Sequence, residues 1–380
     1  MHLKVKQELL SSVLANLTKA TAPRSPIPAL RGILLVTGED ELILNASDGE
    51  LTIRARIPAE ILDPGTILLP ADSLAELVRH LEPSLLELAE ERKEEGAGVV
   101  LRWDTGQTKI WIMEAENYPP LIETTESTTP FTCEELRSAI LKTLPATSKE
   151  DAPSKAILRG VHLTVANNRL LAEATDGIRL AVWKKDKVAE ESQEVQFDAV
   201  LPLRAVFELA RFTGRESEIL LAHNENHLIV KWREGEMHYL LTSRRVNGRY
   251  PNTSEYIPSA YVLRFSLPKN PFIAAVERAM IINRMDNQTY PVKIRVDGEK
   301  NELVVSAISA SVGTYQERII LDHWEGETFE TAFNARYLVD GLKLVEQDTI
   351  HFSSAGIEGP AMITGESTSS FYLLLPLRLG

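Results

Sequence analysis

Two short stretches carry residue types that acid–base chemistry uses. Residues 174–182 read ATDGIRLAV and residues 46–53 read ASDGELTI. Each sets an aspartate beside a hydroxyl residue, Asp176 after Thr175 and Asp48 after Ser47. Such a pair could act as base and nucleophile, but only with a partner base, a metal or an oxyanion site. The eight histidines form no HExxH motif, and no GxxxxGKS or GxxxxGKT loop is present. The single cysteine, Cys133, excludes a cysteine-rich zinc site and an intrachain disulfide. An Asp–Gly pair between apolar runs is also the signature of a tight turn between strands. The sequence therefore implies no intrinsic catalytic activity, no cofactor and no metal, and the question becomes which elements these turns join.

The chain repeats itself. LPADSLAELVR, LPLRAVFELAR and FNARYLVDGLK begin at Leu69, Leu201 and Phe333, each 132 residues after the last. LRGILLVTGEDELILNASDGE from Leu30 and LRGVHLTVANNRLLAEATDGI from Leu158 lie 128 apart and share eight of 21 positions, the closing Asp–Gly included. A third copy, from Val292, keeps strand–turn–strand but has lost the Asp–Gly. Each repeat opens on a helical stripe: Leu9, Val13, Leu17; Leu136, Ile140, Leu144; Phe272, Val276, Met280. The LPxxxLxELxR segments predict a second helix, with Leu74, Leu77, Val78 and Leu81 on one face. LTIRARI, HLIVKW and KIWIM alternate as strands do. The fold class is α+β: three domains, each of two helices packed on antiparallel sheet. The joints fall near 117–130 and 250–260, giving domains at 1–125, 126–255 and 256–380.

With 44% hydrophobic and 25% charged residues the chain has a soluble globular composition. No apolar run reaches the roughly 18 residues that span a bilayer, and the N-terminus does not read as a signal peptide. A cytoplasmic location is expected. The net charge of −13 argues against nucleic acid unless the basic residues are gathered on one surface.

They recur on the helices. Arg79, Arg211 and Lys343 hold one position in the three copies; Arg204 and Arg336 hold another, where the first copy has Asp72. Lys19, Arg137, Lys142 and Arg278 add to the first helices. Each alone reads as a solvated helix face. Recurrence in three domains about an axis would bring them onto one surface. A repeat scaffold that binds proteins but encircles no DNA is the competing class, and the recurring basic positions argue against it.

In the order and spacing of RSPIPALRG, NYPPL, ATDGIRLAV, YPNTSEYIP, FNARYL and the terminal PLRL, the whole chain resembles the bacterial beta sliding clamp family, the processivity subunits of replicative DNA polymerase. The resemblance implies a head-to-tail homodimer closed into a ring, with helices lining a hole that duplex DNA passes through without sequence preference. Arg24 would project toward DNA beside the basic helix residues. The strand Lys109, Ile110, Trp111, Ile112 would meet the segment with Ile281 and Ile282 of the second copy; core packing is the alternative for those isoleucines. The resemblance also implies a hydrophobic groove for short apolar linear motifs of the polymerase, the clamp loader and repair factors. Its residues here would be Leu158, Thr175, Gly177, Ile178, Arg179, Leu180, Pro251, Tyr256, Asn334, Tyr337, Leu373, Leu374, Leu375, Pro376, Leu377, Arg378 and Leu379. Ile178 stands where the family often has an aromatic residue or His, and Glu255 where Arg is common. Both departures would alter the rim.

Overall fold

The computed structural model describes all residues except 94–95, 121–127, 167–168, 187–196, 213–217, 284–289, 368 and 379–380. The chain forms two compact units, Met1–Leu136 with Phe207–Arg245, and Arg137–Val206 with Val246–Gly380.

The first unit holds helices α1 (Gln7–Leu17) and α2 (Ala71–Arg79). Their apolar stripes are buried, α1 through Leu10, Val13, Leu14 and Leu17, and α2 through Leu74 and Val78. Each fully buried leucine contributes about 1.5–3 kcal/mol. The stripe runs through Leu10 rather than the expected Leu9, which is only half-buried, because the i, i+3, i+4, i+7 set starting at Leu10 gives the wider face that a sheet covers. The buried Gln7 side chain donates to Val78 O at 2.7 Å and ties the helices together.

Two sheets complete the unit. One runs Glu60–Asp63, His2–Lys6, Leu85–Lys93, Gly96–Trp103, Gly106–Trp111. The other runs Thr129–Thr132, Glu218–His223, His227–Glu234, Met237–Arg244, Leu51–Pro58, Glu41–Ser47, Gly32–Thr37, Thr66–Pro70. Its middle is a junction between repeats, where Met237–Arg244 lies antiparallel to Leu51–Pro58, with Ser243 opposite Leu51.

The second unit repeats the plan. Its nine-stranded sheet runs Phe197–Pro202, Gly160–Ala166, Arg169–Thr175, Arg179–Asp186, Ser370–Leu374, Ala361–Thr364, Thr349–Ser354, Leu263–Pro268, His323–Gly326. The junction is again between the last strands of two four-strand groups, Arg179 opposite Leu374 and Leu180 opposite Leu373. A four-stranded sheet runs Gly313–Ile320, Glu302–Ser309, Pro291–Asp297, Glu330–Asn334. The second repeat contributes α3 (Cys133–Thr143) and α4 (Leu203–Phe212), the third α5 (Lys269–Asn283) and α6 (Ala335–Leu344). On α5 the buried stripe is Phe272, Ala275, Val276 and Ala279, with Met280 at its margin. Asn334 caps α6, its side chain accepting from the amides of Arg336 and Tyr337.

Candidate functional site

Both Asp–Gly pairs are turns of one design. Asp176 Oδ1 accepts from the amides of Ile178 (2.9 Å) and Arg179 (3.1 Å), and the Thr175 hydroxyl donates to Arg179 O at 2.7 Å. Asp48 Oδ1 accepts from Glu50 and Leu51, and Ser47 donates to Leu51 O, in the same pattern. Gly177 and Gly49 have φ of +91° and +93°, a region that only glycine enters without strain. The aspartates hold backbone, as Asx turns do.

The copies differ one residue after the turn. In the first repeat Leu51 is fully buried; at the matching position Arg179 is 3% exposed. A buried guanidinium must be paired. Arg179 Nε donates to Asp176 Oδ2 (2.9 Å) and Nη1 to Asp340 Oδ2 on α6 (2.7 Å). Nη1 also lies 3.4 Å from the Tyr372 hydroxyl, and the guanidinium stacks 3.8 Å over the Tyr337 ring. Burial pushes the Tyr372 hydroxyl far up from its usual pKa, so it stays a neutral donor and acceptor.

Beside this cluster the junction strands carry a second, smaller apolar group. Leu180, Val182 and Leu373 are buried together, with half-buried Leu171, Ile257, Met362 and Phe371 against them. Pleating separates them from Ala181 and Leu374, which face the main core. Exposed Ile178 and Leu375 sit side by side, Leu375 N donating to Ile178 O at 2.9 Å, and Leu377 N donates to Ala332 O at 2.7 Å. The C-terminal segment is therefore pinned, with Leu373 and Leu374 buried, Pro376 and Leu377 half-buried and Arg378 exposed. Leu379 lies outside the described residues.

Of the groove residues named from sequence, the structure joins Thr175, Gly177, Ile178, Arg179, Leu180, Tyr337, Leu373 and Leu375 through these contacts. Asn334 reaches them as the cap of Tyr337. Leu158 and Pro251 are half-buried and Tyr256 is exposed; Ile257, next to Tyr256, is the joint residue that packs on the apolar group. Sequence reasoning missed Val182 and Phe371, which alternation from Leu180 and Leu373 would have reached. It also missed Asp340, three residues from Tyr337 on α6.

The basic residues divide by their surroundings. Arg24, Arg79 and Arg137 are exposed, as is Lys19 in the short turn after α1; Arg204 is half-buried. Arg211 pairs with the fully buried Glu208 (3.1 Å), Lys343 with Glu277 (2.8 Å), and Arg278 with Glu317. Arg336 stacks on Tyr290. Lys142 is mostly buried and donates to Leu344 O at 2.6 Å beside Glu346. Arg79, Arg211 and Lys343 all stand in the last turn of a helix, where the dipole favours a cation.

At the sheet edges, Trp111 is 52% exposed with Lys109 Nζ 4.8 Å from its ring centroid, and Ile110 and Ile112 are half-buried. On α5 the isoleucine pair splits: Ile281 is exposed and Ile282 packs on the core.

Comparison with known proteins accounts for this tripling. Residues 1–122, 131–252 and 255–378 match the models of the N-terminal, central and C-terminal domains of the DNA polymerase III beta subunit. The beta sliding clamp of Synechococcus elongatus is 30% identical over 387 residues, covering all of both chains. This chain belongs to the beta sliding clamp family. The Staphylococcus epidermidis clamp is 26% identical over 391 residues, covering all of this chain and 99% of that one. The Bacillus subtilis DNA polymerase sliding clamp structure superposes with a TM-score of 0.90 at 25% identity, over the full length of both. The fold is thus the three-domain DNA clamp, and the chain is a sliding clamp of the DNA polymerase III beta type.

Proposed function

We propose that two copies of this chain close head to tail into a ring that encircles duplex DNA and tethers the replicative polymerase, the clamp loader and repair factors. The domains would run 1–125, 126–255 and 256–380, and the protein would act in the cytoplasm without catalysis of its own. One observation carries the ring. Two internal junctions pair the strand after the turn (Leu51–Pro58, then Arg179–Asp186) with the last strand of the next repeat (Met237–Arg244, then Ser370–Leu374). By the same equivalence the third such strand is Gly313–Ile320, and the last strand of the first repeat is Gly106–Trp111. Among the described residues, both stand at the open edge of their sheets. An edge strand with unpaired amides and exposed apolar side chains is a template for another strand. Trp111 on one edge and Ile320 on the other are exposed apolar residues that such pairing would cover.

A ring also reconciles the net charge of −13 with DNA. Tight phosphate binding would slow sliding and fail as salt rises. A closed ring needs only weak contacts inside it, while an acidic exterior repels DNA. Lys19, Arg24, Arg79, Arg137, Arg211, Arg278, Arg336 and Lys343 are exposed cations for that lining, and they would meet phosphates, not base edges.

The apolar group around Leu180 and Leu373 supports the peptide groove: alkyl walls for Leu and Phe anchors, with the clamped Arg179–Tyr337 pair alongside. Retention on DNA tests the ring. Protein loaded on a nicked circular plasmid should survive a high-salt wash and run off once the plasmid is linearised. Equal loss from circle and line would remove the encircling mechanism.

A further inference from the structure

Resting on the peptide-groove proposal, we propose that His162 and Glu173 are positioning residues that lock the joint wall of the groove, so that motif affinity depends on His162 carrying its charge. The joint is held at two points. The Tyr250 ring stacks on the His162 imidazole, centroids 4.5 Å apart at 24°, and the Thr253 hydroxyl donates to Glu173 Oε1. Thr253 opens the short turn Thr253–Tyr256, and the next residue, Ile257, packs on the Leu180–Leu373 group. Whatever moves Glu173 therefore moves the segment that carries Pro251, Tyr256 and Ile257.

His162 fixes Glu173. Its Nδ1 lies 3.2 Å from Glu173 Oε2 and its Nε2 2.8 Å from Asp198 Oδ1. Strands on both sides and the joint thus face the ring with Glu173, Asp198 and Tyr250, its charged and titratable neighbours among the described residues; Thr164 adds a hydroxyl. Burial by itself lowers the imidazolium's pKa, but the two carboxylates outweigh it and raise it above the ordinary histidine value. The Asp198 side chain is 75% exposed and its pull is screened, so Glu173 is the effective partner. The Tyr250 hydroxyl is buried, and burial pushes its pKa well up, so it stays neutral.

The first repeat shows that the scaffold does not require these charges. At the positions of His162, Glu173 and Tyr250 it has Leu34, Asn45 and Tyr118. Tyr118 packs on the cluster of Leu34 and Leu68, and its hydroxyl donates to Asn45 O at 2.7 Å. A joint tyrosine can thus be docked by apolar contact and one neutral hydrogen bond. A largely buried ion pair adds little stability over such packing, and its best-attested use is as a register or a switch.

The sign follows from the raised pKa. The latch is complete below about pH 6.5 and is lost as pH rises through the elevated pKa of His162. The test is fluorescence anisotropy of the full-length protein with a dye-labelled, N-acetylated, C-amidated decapeptide bearing Leu and Phe anchors and no ionisable side chain. Wild type should bind about tenfold more weakly at about pH 9 than at about pH 6, the loss given by one charge-assisted hydrogen bond. His162→Leu with Glu173→Asn, the pair the first repeat uses, should bind with one affinity at both. His162→Gln, a smaller change, should be equally flat should the double variant fail to fold. A flat wild type, or a variant that keeps the pH dependence, overturns the latch and leaves the groove standing. No binding by wild type at either pH overturns the groove, and the latch with it.

Discussion

Replacing Arg179 by Leu, the residue of the first repeat, tests whether the second copy's turn is held by charge. Arg179 is buried between Asp176 and Asp340 and stacked on Tyr337. Removing one member of a buried pair costs about 3–5 kcal/mol, because the abandoned charge stays buried. Two features lower that figure here. The Asp340 side chain is 33% exposed and can rehydrate, and Asp176 keeps two backbone amide donors. Loss of the stack on Tyr337 adds about 1 kcal/mol, and burial of the leucine returns part of it. The net loss should be about 2–3 kcal/mol, confined to the junction of Arg179–Asp186 with Ser370–Leu374. Native-state hydrogen exchange reads this locally, which suits a chain of several units better than a single melting curve. Amides of Arg179–Asp186 should lose protection by about 30- to 150-fold, while Leu51–Pro58 is unaffected. Adding Asp340→Asn should restore about 1 kcal/mol, since the orphaned charge is then gone. Unchanged protection in Arg179–Asp186 would refute the charge clamp and reduce Arg179 to a packing residue.

Other perturbations separate turn, edge and lining. Gly177→Ala and Gly49→Ala should each cost about 1–2 kcal/mol locally, since both need a positive φ and Gly177 meets no neighbouring atom; only the former should weaken peptide binding by anisotropy. Trp111→Glu should shift the proposed dimer to monomer in sedimentation, raising the dissociation constant at least about 30-fold if Trp111 anchors the interface. Arg79→Glu and Lys343→Glu with Arg211→Gln, the last kept neutral because Glu208 is buried beside it, should abolish salt-resistant retention on circular plasmid. The same variant should bind the apolar peptide normally; intact retention would remove these three residues from the lining.

The repeats were legible in the sequence because helical stripes and strand alternation are local. One stripe was misplaced: Leu9 fits an i, i+4, i+8 line, yet burial follows Leu10 and Leu14, since a helix lying on a sheet buries a face rather than a line. The turns were legible from Asp–Gly alone. The clamp on Arg179 was not, since its partners Asp340 and Tyr372 lie 161 and 193 residues away. No local pattern reports a pairing of that separation. The two-unit division was also hidden, because it arises from strands of successive repeats joining edge to edge. Asn334, a groove residue by resemblance, caps α6 beneath Tyr337.

Comparing the copies locates specialisation more sharply than any one of them. All three place a turn before the strand that can join another repeat. The first closes it with Ser47 and Asp48 and buries Leu51, and the second repeat covers that strand's edge. The second keeps the turn but sets Arg179, His162 and Glu173 where the first has Leu51, Leu34 and Asn45. The third has dropped the aspartate: Ser309 Oγ accepts from Val312 N, Gly313 takes a φ of +132°, and the strand that follows stays at a sheet edge. A scaffold that folds once without the charges does not need them to fold again. Arg179 and Glu173, charges added at a desolvation cost where the first copy has Leu51 and Asn45, therefore mark where the second copy does something the first does not. The edge of Gly313–Ile320, with Ile320 exposed on it, is by the same logic where the proposed second chain would join.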